Sequence, residues 1–352
     1  MPITLQKSNQ LKSIAILMML CLHLFNRDYS GLFQPLAFIG KQPLSYYISL
    51  FCDACVPIFA FVSGYGLYFK YQQNQSVYPK ENLSRIKKLY INYWVVLLLF
   101  AVILGFVIGK EGYPGSIQKF LLNFSGLEPS YNGAWWFFTT YVFFVLTSGF
   151  WFRLLETINP YIYLLVLLII YGVAFYFRIY KTDIFSNEFL NWLHRQSALY
   201  FCTLFQFMLG AFALKYQWNK TVNKAYTYIH TYIHTYIHTY TYRNLISVIL
   251  IAGVVLFHYF VPNFIIAPFT ALAFIFLFLQ LKLPAFIDKS LDFFAPHSTN
   301  LWLIHMFFYM IYFPDFVYGF KYVPVIFIVL VVLCLISSFV VNYVIRQIGK
   351  VI

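Results

Sequence analysis

The chain has 352 residues, of which 61% are apolar and only 10% charged, with a net charge of +13 and a mean hydropathy of +0.72. Soluble domains carry about 25% charged residues, so this composition excludes a soluble globular protein, a disordered tail, a coiled coil and a secreted disulfide scaffold. Outer-membrane strands are shorter and alternate in polarity, which leaves an all-α, polytopic helical membrane protein.

A spanning helix needs about 20 mostly apolar residues. In chain order the candidate spans are 11–26, 48–69, 91–109, 134–152, 161–177, 198–214, 244–261, 264–281, 301–313 and 323–345. The first lacks a small-residue cleavage site and more spans follow, so it reads as a retained helix rather than a signal peptide. It begins at Lys12 and carries His23 eleven positions later, roughly 16 Å up the helix axis at 1.5 Å per residue. The second span holds Asp53 near its outer end, at a depth within roughly 5 Å of His23 by the same rise. Ionisable groups at membrane depth are functional candidates by default. If the first two helices pack together, Asp53 is placed to orient the His23 imidazole as a triad carboxylate does. Cys52 and Cys55 form a C-x-x-C with no second pair. All five cysteines fall in apolar stretches and read as small core hydrophobes, without zinc or redox chemistry.

The segments between spans assign the sides. Arg27, Lys41, Lys110, Lys119, Arg178, Lys181, Arg195 and Lys321 fall on one side, and the remaining two thirds of the 24 Lys and Arg on the other. Cytoplasmic segments collect positive charge, so the bias predicts about ten spans with both termini cytoplasmic. It also explains most of the net charge without nucleic acid as a partner. The longer external loops, 110–133 and 178–197, carry Asn123, Tyr131, Asn132, Trp192 and His194 and are candidates to line an outward-facing site. No soluble domain of any size stands between spans, so the chain reads as one membrane domain over 1–352 and its chemistry belongs inside or at the edge of the bundle.

The internal loop 215–243 contains a repeat. Residues 227–240 read Thr-Tyr-Ile-His three times and then Thr-Tyr. On a helix, His230, His234 and His238 fall on one face at a spacing that suits a metal. The repeat has a simpler source in DNA: the tetranucleotide ACAT, read in triplets, encodes Thr-Tyr-Ile-His in every frame without a stop codon. Loss of one unit shifts the downstream frame, so the tract reads as a slippage switch, in a loop where insertions are tolerated.

Five segments, taken together, resemble the type-3 integral membrane acyltransferases. Leu11 to His23 is similar to their opening span, a basic residue followed by ten residues and a histidine. Val56 to Tyr65, with Phe61-Val62-Ser63-Gly64-Tyr65, is similar to their apolar-Phe-Ser-Gly-aromatic motif. Arg85-Ile86-Lys87-Lys88 resembles their basic cytoplasmic cluster, Asn132-Gly133-Ala134-Trp135-Trp136-Phe137 the segment opening their fourth span, and Ser298 to His305 their late Ser…Leu-Ile-His segment. The resemblance covers nearly the whole chain.

That resemblance implies transfer of an acyl group, usually acetyl, from cytoplasmic acyl-coenzyme A to a sugar hydroxyl of a cell-surface glycan or lipid-linked sugar, in a bacterial cytoplasmic membrane and with no metal. Arg85, Lys87 and Lys88, with Lys12, would partner the donor's phosphates. Lys12 stands where the family usually has Arg and lacks the bidentate fork for phosphate. His23 either deprotonates the acceptor hydroxyl or takes the acyl group itself and passes it outward. Ser63, Gly64, Tyr65, Trp136 and His305 are expected to bind substrate or shape the site, with Gly64 a packing residue rather than Ser63 a nucleophile. The family also includes polysaccharide exporters, the competing reading; a small-solute carrier is a third.

Overall fold

A computed structural model describes residues 3–237 and 242–351. Helices dominate it, and the one sheet among the described residues is a two-residue hairpin, Phe38–Ile39 (β1) against Gln42–Pro43 (β2). The helices are α1 (Leu5–Phe25), α2 (Leu44–Phe51), α3 (Cys55–Gln73), α4 (Tyr78–Val96), α5 (Leu104–Ile108), α6 (Ile117–Ser125), α7 (Trp136–Thr157) and α8 (Pro160–Tyr180). They continue with α9 (Glu188–Lys215), α10 (Trp218–Ile237), α11 (Tyr242–Phe260), α12 (Ala267–Gln280), α13 (Ala285–Phe294), α14 (Ser298–Met306), α15 (Pro314–Gly319) and α16 (Val323–Val351). A 3₁₀ turn, Cys52–Ala54, joins α2 to α3, and a π-helical stretch, Leu97–Ile103, joins α4 to α5.

Seven helical runs are long and apolar enough to cross a membrane: Leu5–Phe25, Leu44–Gln73, Tyr78–Ile108, Gly133–Thr157, Pro160–Tyr180, Glu188–Lys215 and Val323–Lys350. The seventh and eighth predicted spans are the shorter apolar helices Asn244–Phe260 and Phe264–Gln280. The ninth is α14 continued by a π-helical run, Phe307–Tyr312. Large apolar side chains face outward: on α8, Tyr161, Ile162 and Leu165 are exposed, and on α16, Ile328, Ile336 and Phe339. Apolar area this large on a water-facing surface would drive association. The chain is therefore a multi-pass membrane protein.

The predicted loop 215–243 is mostly the helix α10. Its four-residue repeat returns Tyr and Ile close to the 3.6-residue helical period, which gives a helix one apolar face. Residues 238–241, the end of the repeat, lie outside the described residues, as do the side chains of His230, His234 and His238, so the metal spacing is not addressed.

Packing divides the chain into two compact units. The first comprises Met1–Ala15, Leu50–Pro79 and Phe144–Ala295. Its centre is the crossing of α3 and α9. A Cβ on Gly64 would collide with the carbonyl of Phe207, and one on Gly210 with the carbonyl of Phe61, so the two glycines let the helix backbones touch. Helix starts are capped in sequence-legible ways: Asn159 accepts from the amides of Tyr161 and Ile162 ahead of Pro160, and Asn187 from that of Leu190. The start of α1 is tied to α13, where Gln10 donates to Asp288 and Asp292 and Ser13 to the Leu291 carbonyl.

The second unit comprises Ile16–Ser49, Lys80–Phe143 and Pro296–Ile352. It contains the end of α1, α4 to α6, the start of α7, and α14 to α16. Buried polar side chains join α14 to α16: Asn300 donates to Ser338 at 2.8 Å and to Asn342 at 2.9 Å, and His297 meets Ser338 at 2.8 Å.

Candidate active site

The second unit brings two of the sequence-singled segments together. Trp302 donates through Nε1 to the Ala134 carbonyl at 2.8 Å, and Trp135 donates to the Leu303 carbonyl at 2.8 Å. Asn132 donates to the same Leu303 oxygen at 3.0 Å, while its own side-chain oxygen accepts from the Ala134 amide. Leu303 accepts these outside donors because the helix changes register there. The Phe307 amide bonds to Ile304, and the π-helical run begins. Such local departures from the α-helix recur at functional sites. The indole expected at the site was that of Trp136. Trp136 is half-buried and packs edge-on to Phe137, and the buried, hydrogen-bonded indoles are Trp135 and Trp302.

Two residues beyond Leu303, this clamped segment presents His305, which has no exposed surface. Its Nε2 lies 2.6 Å from Nδ1 of the half-buried His23 on α1. Its Nδ1 lies 2.8 Å from the carbonyl oxygen of Trp302 and 3.1 Å from that of Leu301. Tyr309 lies parallel to the His305 ring at 6.0 Å. Arg27, one turn past His23, donates to the His23 carbonyl at 2.7 Å, and its guanidinium lies 5.7 Å from the Tyr309 ring and 5.6 Å from that of Tyr318. Tyr318 donates to the Leu24 carbonyl at 3.1 Å. The site is thus an imidazole pair with an arginine held among aromatic rings. Arg27, Tyr309 and Tyr318 were not singled out from the sequence. Arg27 at His23 plus four was the available signal, since that spacing puts both on one helix face.

The other predicted residues are distributed between the units. Arg85, Lys87 and Lys88 lie on α4 in the second unit. Arg85 pairs with Glu81 at 2.8 Å and also donates to Asn82, while Lys87 and Lys88 are exposed. Lys12 lies on α1 in the first unit, half-buried, with no ion pair among the described residues. Asp53 also belongs to the first unit, in the turn before α3, where Arg178 acts on it electrostatically. The nitrogen of His23 that a triad carboxylate would meet, Nδ1, faces His305. Gly64 is the helix-crossing residue already described, Tyr65 accepts from the Ile3 amide at 2.8 Å, and Ser63 is half-buried beside them.

In the loop 110–133, Asn132 reaches α14 as described, while Asn123, Tyr113 and Tyr131 bond within the loop. Asn123 donates to Lys119 and Ser130 and accepts from the Tyr131 amide. Tyr113 donates to the Tyr131 carbonyl and Tyr131 to that of Pro114. Burial raises both phenols above their usual range, and for Tyr131 the neighbouring Tyr113 adds to the effect. Such phenols stay protonated and keep donating at any physiological pH. Among the described residues no three His, Cys, Asp or Glu gather in a way that would hold a metal.

A family model described as an acyltransferase domain, the third such family, matches residues 6–346. The chain belongs to that acyltransferase family. No curated protein and no solved structure matches it significantly. This membrane acyltransferase therefore carries its family assignment along nearly its full length, with the His23–His305 pair inside the matched region.

Proposed function

We propose that this membrane acyltransferase moves an acyl group, most simply acetyl, from cytoplasmic acyl-coenzyme A to a sugar hydroxyl of a cell-surface glycan or its lipid-linked precursor, in a bacterial cytoplasmic membrane. The observation that carries the reading is the half-buried imidazole of His23, fixed through Nδ1 by a fully buried second histidine. An imidazole so held suits proton transfer from a hydroxyl or direct acyl transfer. Arg27, among the rings of Tyr309 and Tyr318, supplies a fixed positive charge beside the pair.

Donor phosphates are assigned to Lys12, Lys87 and Lys88, with Arg85 contributing after partial neutralisation by Glu81. Lys12 serves as a point charge rather than a fork. Asp53 is assigned a supporting carboxylate role, and Ser63, Tyr65 and Trp136 a role around the acceptor. The Thr-Tyr-Ile-His tract is proposed to switch expression through slippage of an ACAT repeat. Mixed codons in its DNA would exclude that mechanism.

The deciding experiment is chemical. Surface glycan from cells with and without the gene is compared for ester-linked acyl groups and for total amount. Loss of ester at constant amount is the expected result. A fall in surface polymer with unchanged ester content would make the protein an exporter instead.

A further inference from the structure

His305 is bonded at both ring nitrogens, and the two contacts are of different kinds. Nδ1 faces the carbonyl oxygens of Trp302 and Leu301. A carbonyl oxygen accepts and never donates, so Nδ1 of His305 carries a hydrogen. In a neutral imidazole the other nitrogen then holds a lone pair. The hydrogen in the 2.6 Å contact between the rings therefore sits on Nδ1 of His23, and Nε2 of His305 accepts it.

The ring geometry agrees. The two planes differ by 10° and the centroids are 4.9 Å apart. That separation exceeds the nitrogen–nitrogen distance by about one ring width, so the rings lie end to end in a common plane and the N–H points along the acceptor lone pair. A doubly protonated His305 would reverse the direction. It would also place a full positive charge on a ring with no exposed surface, which a protein interior penalises heavily.

With Nδ1 of His23 committed to donation, its lone pair is on Nε2. No protein group among the described residues bonds to that nitrogen. We propose that His305 is the positioning residue of the acyl transfer, holding His23 in the Nδ1–H tautomer so that Nε2 presents the reacting lone pair. The inference rests on the reading of His23 as the group that works in acyl transfer. In the base route, Nε2 takes the proton of the acceptor hydroxyl while its oxygen bonds to the thioester carbonyl carbon. The carbon–sulfur bond breaks and the proton passes to the leaving thiolate. The acyl-imidazole route begins at the same nitrogen, so both need the tautomer that His305 imposes. Outward orientation by a backbone-anchored partner is the role that carbonyls and carboxylates play for other working histidines.

The test reads the tautomer directly. Protein with ¹⁵N-labelled histidine is reconstituted in lipid nanodiscs, and the His23 signals are assigned by difference from the His23→Asn variant. The expected wild-type spectrum shows hydrogen on Nδ1 of His23 and a bare Nε2. His305→Gln keeps an accepting oxygen near the Nε2 position and is expected to preserve that pattern and to hold ester formation within about threefold of wild type. His305→Leu removes the acceptor; His23 is expected to move to the Nε2–H form, and ester formation to fall at least about tenfold, the low end of what a general base contributes. A wild-type His23 protonated on Nε2 overturns the positioning role whatever the variants do, and needs no variant that folds poorly. The expected tautomer combined with full ester content in His23→Ala would instead overturn the catalytic reading of His23 itself.

Discussion

Removing the His23 side chain leaves Nε2 of His305 without its donor in a position that has no exposed surface. His23→Ala is expected to abolish ester formation, and insertion must be assayed beside it because the truncation also leaves a cavity. Asp53, in the turn before α3, is the second carrier of the predicted chemistry. If it supports His23, Asp53→Asn lowers ester content, and Asp53→Asn combined with His23→Ala is no worse than His23→Ala alone. A silent Asp53→Asn, or one that blocks insertion, reduces Asp53 to a structural contact. Lys12→Ala is expected to raise the acyl-coenzyme A concentration needed for half-maximal transfer, and Lys12→Arg to lower it, since the guanidinium adds a phosphate fork. The sequence singled out His23 because a basic residue eleven positions earlier marks the same helix. It could not disclose that His305 is the ring at Nδ1. The two are 282 positions apart, and a rise per residue gives depth along an axis but no direction around it. That Trp135, beside the predicted Trp136, is the indole bonded to α14 was out of reach for a related reason. The 3₁₀ turn Gly133–Trp135 sets the rotational phase at which α7 begins, and hydrophobicity is the same for both indoles.

At the scale of elements, the Phe-Val-Ser-Gly-Tyr segment acts through backbone contact. Gly64 and Gly66 lie two positions apart on α3, yet a Cβ on Gly66 meets nothing within 4 Å, whereas one on Gly64 enters the Phe207 carbonyl. Gly64→Ala is expected to push α3 and α9 apart and to cost about 1–3 kcal/mol, the range for overpacking a close-fitted interior. Gly66→Ala is expected to be neutral. Thermal unfolding of the two variants in the same detergent compares them, and equal midpoints would remove the crossing as the reason for Gly64. The sequence pointed to a packing glycine here, but what it meets is Phe207 of α9, 143 positions on from Gly64. Helix starts carry local signals, Asn159 with Pro160 and Asn187 before Glu188. The first lies beside the predicted start at 161, but α9 begins ten residues before the predicted 198, inside the segment read as the external loop 178–197, because hydropathy and not the cap set that boundary. The internal segment 215–243 is mostly the helix α10, a helix that the four-residue spacing of the repeat allowed and that the span reading, concerned only with apolar length, left undrawn.

At the scale of the whole chain, the number of crossings fixes which ends share a side. Between Ser76 and Ser116 lies one long apolar run, Tyr78–Ile108, so tags at these positions belong on opposite sides. Between Ser76 and Thr231 lie four such runs, an even number, so a tag in the repeat belongs with Ser76. The excess of Lys and Arg predicts that this shared side is the cytoplasm. The C-terminus depends on α14. The apolar helices 244–260 and 264–280 come as a pair, and whether both cross or neither does, they return the chain to the same side. Val323–Lys350 then crosses once. Both termini are cytoplasmic only if the run from Ser298 to Tyr312 also crosses. That run has 9 α-helical and 6 π-helical residues, about 22 Å at the α-helical rise, against a hydrocarbon thickness of about 30 Å. Its buried face carries His305 and its clamp to Trp135 and Asn132, which would let the protein interior, rather than lipid, surround much of its length. A short, protein-encased crossing satisfies the rule that irregular backbone at membrane depth must be buried in protein. A reporter fused after Ile352 is therefore expected to read cytoplasmic, together with one at Thr231, while one at Ser116 reads external. An external C-terminus beside a cytoplasmic Thr231 would mean that α14 enters and leaves on one side, and would place His305 in a re-entrant segment instead of a span.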